Sequence, residues 1–215
     1  MRMAGLLLPE KLDRYLDGLV PPRQEELDQM ERYGKRSGFP IIGPACGHFC
    51  YLTARLIGAR RVFEMGSGYG YSTAWFARAV QENGGGRVVH VVWDEELSRR
   101  ARAHLAALGF EGLVEYRVDE AIGALRSTEG PFDLIFLDID KEGYPEALDV
   151  IEGKLRPGGV LLADNLLWSG AVMDGRDRSP QTQAIRALTH RVTEGEGWIA
   201  SIVPMRDGLL LAYRR

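Results

Sequence analysis

Phe132–Asn165 reads FDLIFLDIDKEGYPEALDVIEGKLRPGGVLLADN. It holds two short apolar runs, Leu134–Leu137 and Val160–Ala163. Each is closed by acid: Asp138 after the first, Asp164-Asn165 after the second. Between them lies a helical stretch closed by Pro157-Gly158-Gly159. Apolar runs of this length, bounded by turn residues and separated by a helix, predict adjacent parallel strands. Parallel neighbours bring both acidic ends to one edge of the sheet, where open α/β sheets bind ligands. Three hard oxygen donors (Asp138, Asp164 and Asn165) then converge, with Lys141 one short turn beyond the first. Such a set suits Mg²⁺ or Ca²⁺ better than a metal that prefers thiolate or imidazole.

Working outward, Arg61–Met65 predicts the first strand and runs into Gly66-Ser-Gly-Tyr-Gly70, with a helix beginning near Ser72. Strand, glycine-rich turn and helix form the nucleotide-binding entry of a doubly wound sheet. Arg87–Trp93 and Val114–Val118 predict the second and third strands, each followed by an acid-led helix from Asp94 and Asp119. After Asn165 the irregular run LLWSGAVMDGRDRSP is long enough for an active-site loop. A helix over 182–193 follows, and then a hairpin turning through Asp207-Gly208. Residues 9–37 predict two polar helices separated by Pro21-Pro22, and a further helix spans 44–56.

The glycine loop carries a discriminating acid. A dinucleotide site wants a third glycine, but Tyr71 stands at that position. Glu64, two residues before Gly66, repels phosphate and attracts an ammonium or sulfonium. The loop therefore points to S-adenosylmethionine (SAM), whose amino-acid end is an ammonium and a carboxylate. Ser72 and the amides at the helix start suit the carboxylate.

The chain has 215 residues, a net charge of −3, 45% hydrophobic and 27% charged residues. That is enough for one α/β domain with a full core and argues for neither nucleic acid nor an anionic membrane as partner. Cys46 and Cys50 sit four apart on a predicted helix, poor geometry for a disulfide, and read as reduced thiols. The four histidines show no metal or triad spacing. No apolar stretch reaches spanning length, and the N-terminal apolar run is too short for a signal peptide, so a cytoplasmic location is expected.

Taken together, Glu64-Met-Gly-Ser-Gly-Tyr-Gly-Tyr-Ser72, Leu137-Asp-Ile-Asp-Lys141 with Tyr144, Gly158-Gly159, Asp164-Asn165 with Trp168 and Gly170, and Pro204–Leu209 resemble the cation-dependent, SAM-dependent O-methyltransferases. That group includes the catechol and caffeoyl-CoA O-methyltransferases and their small bacterial relatives. The resemblance implies a doubly wound, Rossmann-like α/β sheet of seven strands, the last antiparallel, with helices on both faces. Residues 1–215 are then one methyltransferase domain in which 1–40 form an N-terminal helical extension. It also implies a homodimer and Mg²⁺ or another divalent cation on Asp138, Asp164 and Asn165. Lys141 falls on the catalytic base. Ile42, Glu64, Gly66, Ser67, Gly68, Tyr71, Ser72 and Asp138 fall at the cofactor.

Two positions depart from the pattern. The acid that serves the ribose at the end of the second strand is replaced by Val92, leaving Asp94 as the nearest substitute. The adenine loop reads Asp119-Glu120-Ala121, with Glu120 or the Ala121 amide set to meet the adenine amino group. The chemistry expected is methyl transfer to one hydroxyl of a catechol-like diol, with Trp168, Met173 and Tyr144 as candidate pocket walls, Tyr144 serving equally well as apolar packing. Tyr71 and Glu64 argue against an NAD(P)-dependent oxidoreductase. The complete set Asp138, Lys141, Asp164 and Asn165 argues against a non-catalytic SAM-binding protein.

Overall fold

The computed structural model describes residues 10–215. The reading of the N-terminal run, and of residue 9 as helical, lies outside the described residues. Among these, seven strands form one sheet in the order β3-β2-β1-β4-β5-β7-β6. The strands are β1 (Arg61–Met65), β2 (Arg87–Val92), β3 (Val114–Val118), β4 (Phe132–Leu137), β5 (Leu155–Ala163), β6 (Trp198–Val203) and β7 (Leu209–Arg214). β3, β2, β1, β4 and β5 pair in parallel, while β7 runs antiparallel to both β5 and β6. The predicted C-terminal hairpin is present, and β7 is inserted between β5 and β6. The helices are α1 (Glu10–Gly18), α2 (Glu25–Ser37), α3 (Gly43–Leu56), α4 (Tyr71–Glu82), α5 (Glu95–Ala107), α6 (Ala121–Ser127), α7 (Tyr144–Lys154) and α8 (Pro180–Glu194).

Strand periodicity sorts the core. Val62, Val88, Leu134, Phe136 and Leu162 pack with α2, α3, α4 and α5 on one face. Phe63, Met65, Val89, Ile135, Leu137 and Leu161 pack with α6, α7 and α8 on the other. Two-sided burial explains why these strands read as continuous apolar runs rather than alternating ones. Full burial of each such side chain contributes roughly 1.5–3 kcal/mol. The helices of the N-terminal extension are tied in. Leu27 and Met30 of α2 are buried, and Asp17 of α1 accepts the Ala45 amide of α3 at 3.0 Å.

One boundary differs from the sequence reading. Pro157-Gly158-Gly159 was expected to close a helix; instead β5 already starts at Leu155. Phe132 pairs with Leu155 but Leu134 pairs with Val160, so residues 156–159 bulge from the ladder. Proline and glycine are tolerated within a strand where the ladder is interrupted. The bulge is anchored by Arg156, which donates to Asp133 at 2.6 Å.

Candidate active site

Strand register places the candidate residues before any side chain is considered. Met65, Leu137 and Ala163 are aligned across β1, β4 and β5. The residues that follow them, Gly66, Asp138 and Asp164, therefore emerge side by side. The Asp138 amide donates to the Met65 carbonyl at 2.9 Å, and the Asp164 amide to the Leu137 carbonyl at 3.1 Å. A Cβ on Gly66, whose φ is +87°, would overlap the Asp138 carbonyl, so only glycine lets the loop rest on the end of β4.

Lys141 sits on a 3-10 turn, Lys141–Gly143, that leads into α7. It is buried, at 8% exposure, an unusual place for an ammonium. Its Nζ donates to Asp138 Oδ1 at 3.0 Å and to the Tyr144 hydroxyl at 2.8 Å. That hydroxyl donates in turn to the Asp164 carbonyl at 2.8 Å. Tyr144 is fully buried, so of its two expected roles, pocket wall or apolar packing, the structure shows packing. Its ring packs in the core, and its hydroxyl joins Lys141 to the end of β5.

Asp164 is almost fully buried, and its carboxyl is pushed up to about 7, first by loss of water and then by the charge of Asp138. Asn165 has φ 64°, the left-handed region that asparagine tolerates better than most residues. Its Nδ2 lies 3.5 Å from Asp207 Oδ2. Asp207 belongs to the Pro204–Leu209 motif and to the predicted turn, with no site role expected of it. Its Oδ1 accepts the Ser169 amide at 2.6 Å, and its carbonyl accepts the Leu167 amide at 2.8 Å. The turn before β7 thus holds the loop after β5. Among the described residues no three His, Cys, Asp or Glu cluster as a metal site. The oxygen set here is two carboxylates and an amide.

The glycine loop has a polar underside. Glu64 has no exposed surface. The Thr73 hydroxyl of α4 donates to Glu64 Oε2 and lies 3.0 Å from His90 Nδ1 on β2. Glu64 Oε1 and His90 Nε2 are buried without a hydrogen-bond partner. Burial outweighs the neighbouring hydroxyls and pushes the Glu64 carboxyl up to about 7; burial pushes the His90 imidazole down to about 3. Thr73 and His90 were not anticipated. The only signal was register: Glu64 and His90 are Cα partners, so both face α4.

Other candidates are committed elsewhere. Ser67 Oγ accepts the Val91 amide at 3.0 Å, and the Tyr71 hydroxyl donates to Glu31 of α2 at 2.8 Å. These side chains secure the loop, leaving backbone as what they present. Ser72 is the second residue of α4 and Ile42 immediately precedes α3, both buried. At the far end, Asp94 Oδ1 accepts the Leu97 amide at 2.8 Å as the N-cap of α5. Both Glu120 oxygens accept amides, of Ile122 and Gly123, at 2.7 Å each. Asp94, the expected substitute at the ribose, and Glu120, expected with the Ala121 amide as the alternative at the adenine, both serve as helix caps. Val92 is buried, while Trp93 is 85% and Val118 50% exposed at neighbouring strand ends.

The family model described as O-methyltransferase matches residues 23–215. The chain belongs to the O-methyltransferase family. This O-methyltransferase is 31% identical over 214 residues to the catechol O-methyltransferase of Niastella koreensis, covering 94% of this chain and 96% of that one. It superposes with TM-score 0.86 and 28% identity on the O-methyltransferase of Bacillus cereus solved in complex with SAH, covering 95% and 97% of the two chains. An O-methyltransferase of Streptomyces achromogenes involved in tomaymycin synthesis, solved with SAM, gives TM-score 0.85 at 29% identity, covering 95% and 96%. No helix among the described residues is long and apolar enough to cross a membrane.

Proposed function

We propose that this O-methyltransferase moves the methyl group of SAM to one hydroxyl of a catechol-like, vicinal diol, with a divalent cation (most simply Mg²⁺) and Lys141 as base. The observation that carries the reading is the pairing of Asp138 and Asp164 at one sheet edge beside a buried lysine. Asp164 is buried next to Asp138, and burial together with that neighbouring charge outweighs the cations Lys141 and Arg206, so its carboxyl is pushed up to about 7. Asp138, Asp164 and the Asn165 amide oxygen form a hard-oxygen set that fits a small divalent ion, so these three residues would hold it. When bound, the ion lowers the pKa of a ligating hydroxyl and fixes its direction.

The protein's own groups supply the rest. The amides of the 66–72 loop and the start of α4 receive the cofactor's carboxylate, and Glu64 attracts its ammonium. Trp93 and Val118 offer an apolar rest for adenine now that Asp94 and Glu120 are engaged as caps. Lys141 Nζ, steered by the Tyr144 hydroxyl and acting as the neutral amine, takes the acceptor's proton as the oxygen attacks the methyl carbon in line and the thioether SAH leaves. The loop 166–179 forms the outer wall through Trp168 and Met173. The names and bound ligands of the relatives support both the SAM and the catechol elements.

The test is methyl transfer from SAM to a panel of catechols, with Mg²⁺ and with a chelator. Turnover that the chelator stops is expected. Turnover indifferent to the chelator would remove the cation, and no turnover with SAM still bound would remove the diol.

A further inference from the structure

The 166–179 loop is an awkward piece of chain. Trp168 and Ser169 have φ of 46° and 50°, and Gly170 follows at 83°. No residue of its 3-10 segment, Trp168–Met173, is buried, and Met173 is 69% exposed. Leu166 is buried and Trp168 and Val172 rest only partly buried against the core, so apolar contact holds the start of the loop more than its tip, and left-handed residues persist only where their surroundings over-determine them.

One side chain supplies much of that determination. Arg186, half-buried on the second turn of α8, sends its guanidinium under the loop. Nε donates to the Val172 carbonyl at 3.1 Å, and Nη1 to the Asp177 carbonyl at 2.8 Å. Nη2 donates to the carbonyls of Ala171 at 3.1 Å and Asp174 at 2.7 Å. Four backbone acceptors spread over 171–177 thus converge on one planar fork. A guanidinium has five N–H donors in fixed directions, whereas an ammonium presents three from one point. Asp207 holds the other end through the Leu167 and Ser169 amides. Arg186 touches none of the groups assigned to cofactor, cation or base.

We propose that Arg186 is a positioning residue for the methyl acceptor: it fixes the 166–179 wall and thereby sets acceptor affinity without contacting acceptor or cofactor. This rests on the reading of that loop as the acceptor wall. Losing the fork frees the Val172 and Asp177 carbonyls and leaves those of Ala171 and Asp174 with only the amides of Asp174 and Asp177, so the loop relaxes as a unit while the sheet edge beneath it stays in place.

The experiment compares Arg186→Ala and Arg186→Lys with the wild type in the full chain. Trypsin can cut after Arg176 and Arg178 inside the loop. Cleavage there is expected to quicken at least ten-fold in Arg186→Ala, with SAH affinity within two-fold of wild type. On a catechol acceptor, KM is expected to rise about ten-fold with kcat within two-fold. Arg186→Lys is expected to recover only part of the loss, and millimolar guanidinium to restore KM in Arg186→Ala but not in wild type. Unchanged cleavage and KM would overturn the proposal. So would a parallel loss of kcat, SAH binding and thermal stability, because that is the signature of a general structural role. A wild type that binds SAH but methylates no diol would sink the diol reading alone, and the trypsin and guanidinium-protection measurements would still decide the clamp.

Discussion

Glu64 and His90 lie opposite each other across β1 and β2 and share one hydroxyl, that of Thr73. A threonine has a single proton to give. When it goes to a charged Glu64, the Thr73 oxygen is left to accept from His90 Nδ1–H; when Glu64 is protonated, Thr73 can donate to Nδ1 instead. The imidazole tautomer is thus tied to the charge of the carboxylate.

This pair gives cofactor-free protein an unusual pH dependence. Native His90, pushed down to about 3, stays neutral where the unfolded chain binds a proton, so its contribution rises with pH from 3 to 6.5. Native Glu64, pushed up to about 7 from 4.5, holds a proton where the unfolded chain has lost it, so its contribution falls as pH rises through 4.5–7. About 2.5 pH units at 1.36 kcal/mol each bounds the Glu64 loss at roughly 3 kcal/mol above pH 7. Glu64→Gln should therefore raise Tm at pH 8 and lose that advantage at pH 4.5. Calorimetry at both pH values checks it; an advantage confined to low pH would reverse the assignment.

Tyr144→Phe deletes the hydroxyl between Lys141 and the Asp164 carbonyl. It leaves a buried carbonyl and a buried ammonium each one partner short, costing about 1–3 kcal/mol of stability. We expect kcat to fall about ten-fold, since a freed Lys141 misses its geometry, with SAH affinity unchanged. Titration calorimetry with SAH beside steady-state rates separates the two effects. A loss of SAH binding equal to the loss of kcat would argue against Lys141 as the group affected.

Asp164→Ala and Lys141→Met should separate cation from base. Asp164→Ala is expected to abolish chelator-sensitive turnover while SAH binding persists. Lys141→Met is expected to lower kcat by about 10²–10⁴-fold, the usual range for a lost general base, and to flatten its pH profile. Full activity in Asp164→Ala would end the cation assignment.

Trp93→Ala should weaken SAH binding about ten-fold, in line with the 1–3 kcal/mol of a base stacked on an aromatic ring. Trp93→Phe should restore most of it. Removing the Asp94 carboxylate should instead destabilise α5 by about 1 kcal/mol and leave SAH affinity nearly unchanged. Quenching of tryptophan fluorescence by SAH in wild type, absent in Trp93→Ala, is the direct readout.

Strands β1, β2, β4 and β5 were legible because two-sided burial leaves apolar runs, β3 by the alternation of VEYRV at the sheet edge, and Asp138, Lys141, Asp164 and Asn165 were legible as candidates because they punctuate the ends of the β4 and β5 runs. Local sequence leaves a choice open where two uses of one residue type compete. An acid after a strand serves equally as a ligand group or as the cap of the next helix, and Asp94 and Glu120 are caps. Pro157-Gly158-Gly159 signals a turn, yet a bulge uses the same conformations inside β5. Thr73, His90, Asp207 and Arg186 were illegible for another reason. Each acquires its role from contacts that three-dimensional packing makes: Asp207 meets Ser169 across 38 residues, and Thr73 and Arg186 reach partners nine or more residues away that no helix or strand period pairs with them.

The insertion of β7 between β5 and β6 has a consequence for how the chain is made. Synthesis runs from the amino end, so β5 and β6 both leave the ribosome before the strand that joins them. Until Leu209–Arg214 arrives, the Val160–Ala163 ladder of β5 is an open apolar edge, the kind that pairs with a second copy. Pausing or premature termination upstream of residue 209 should therefore yield aggregates rather than a soluble, inactive sheet.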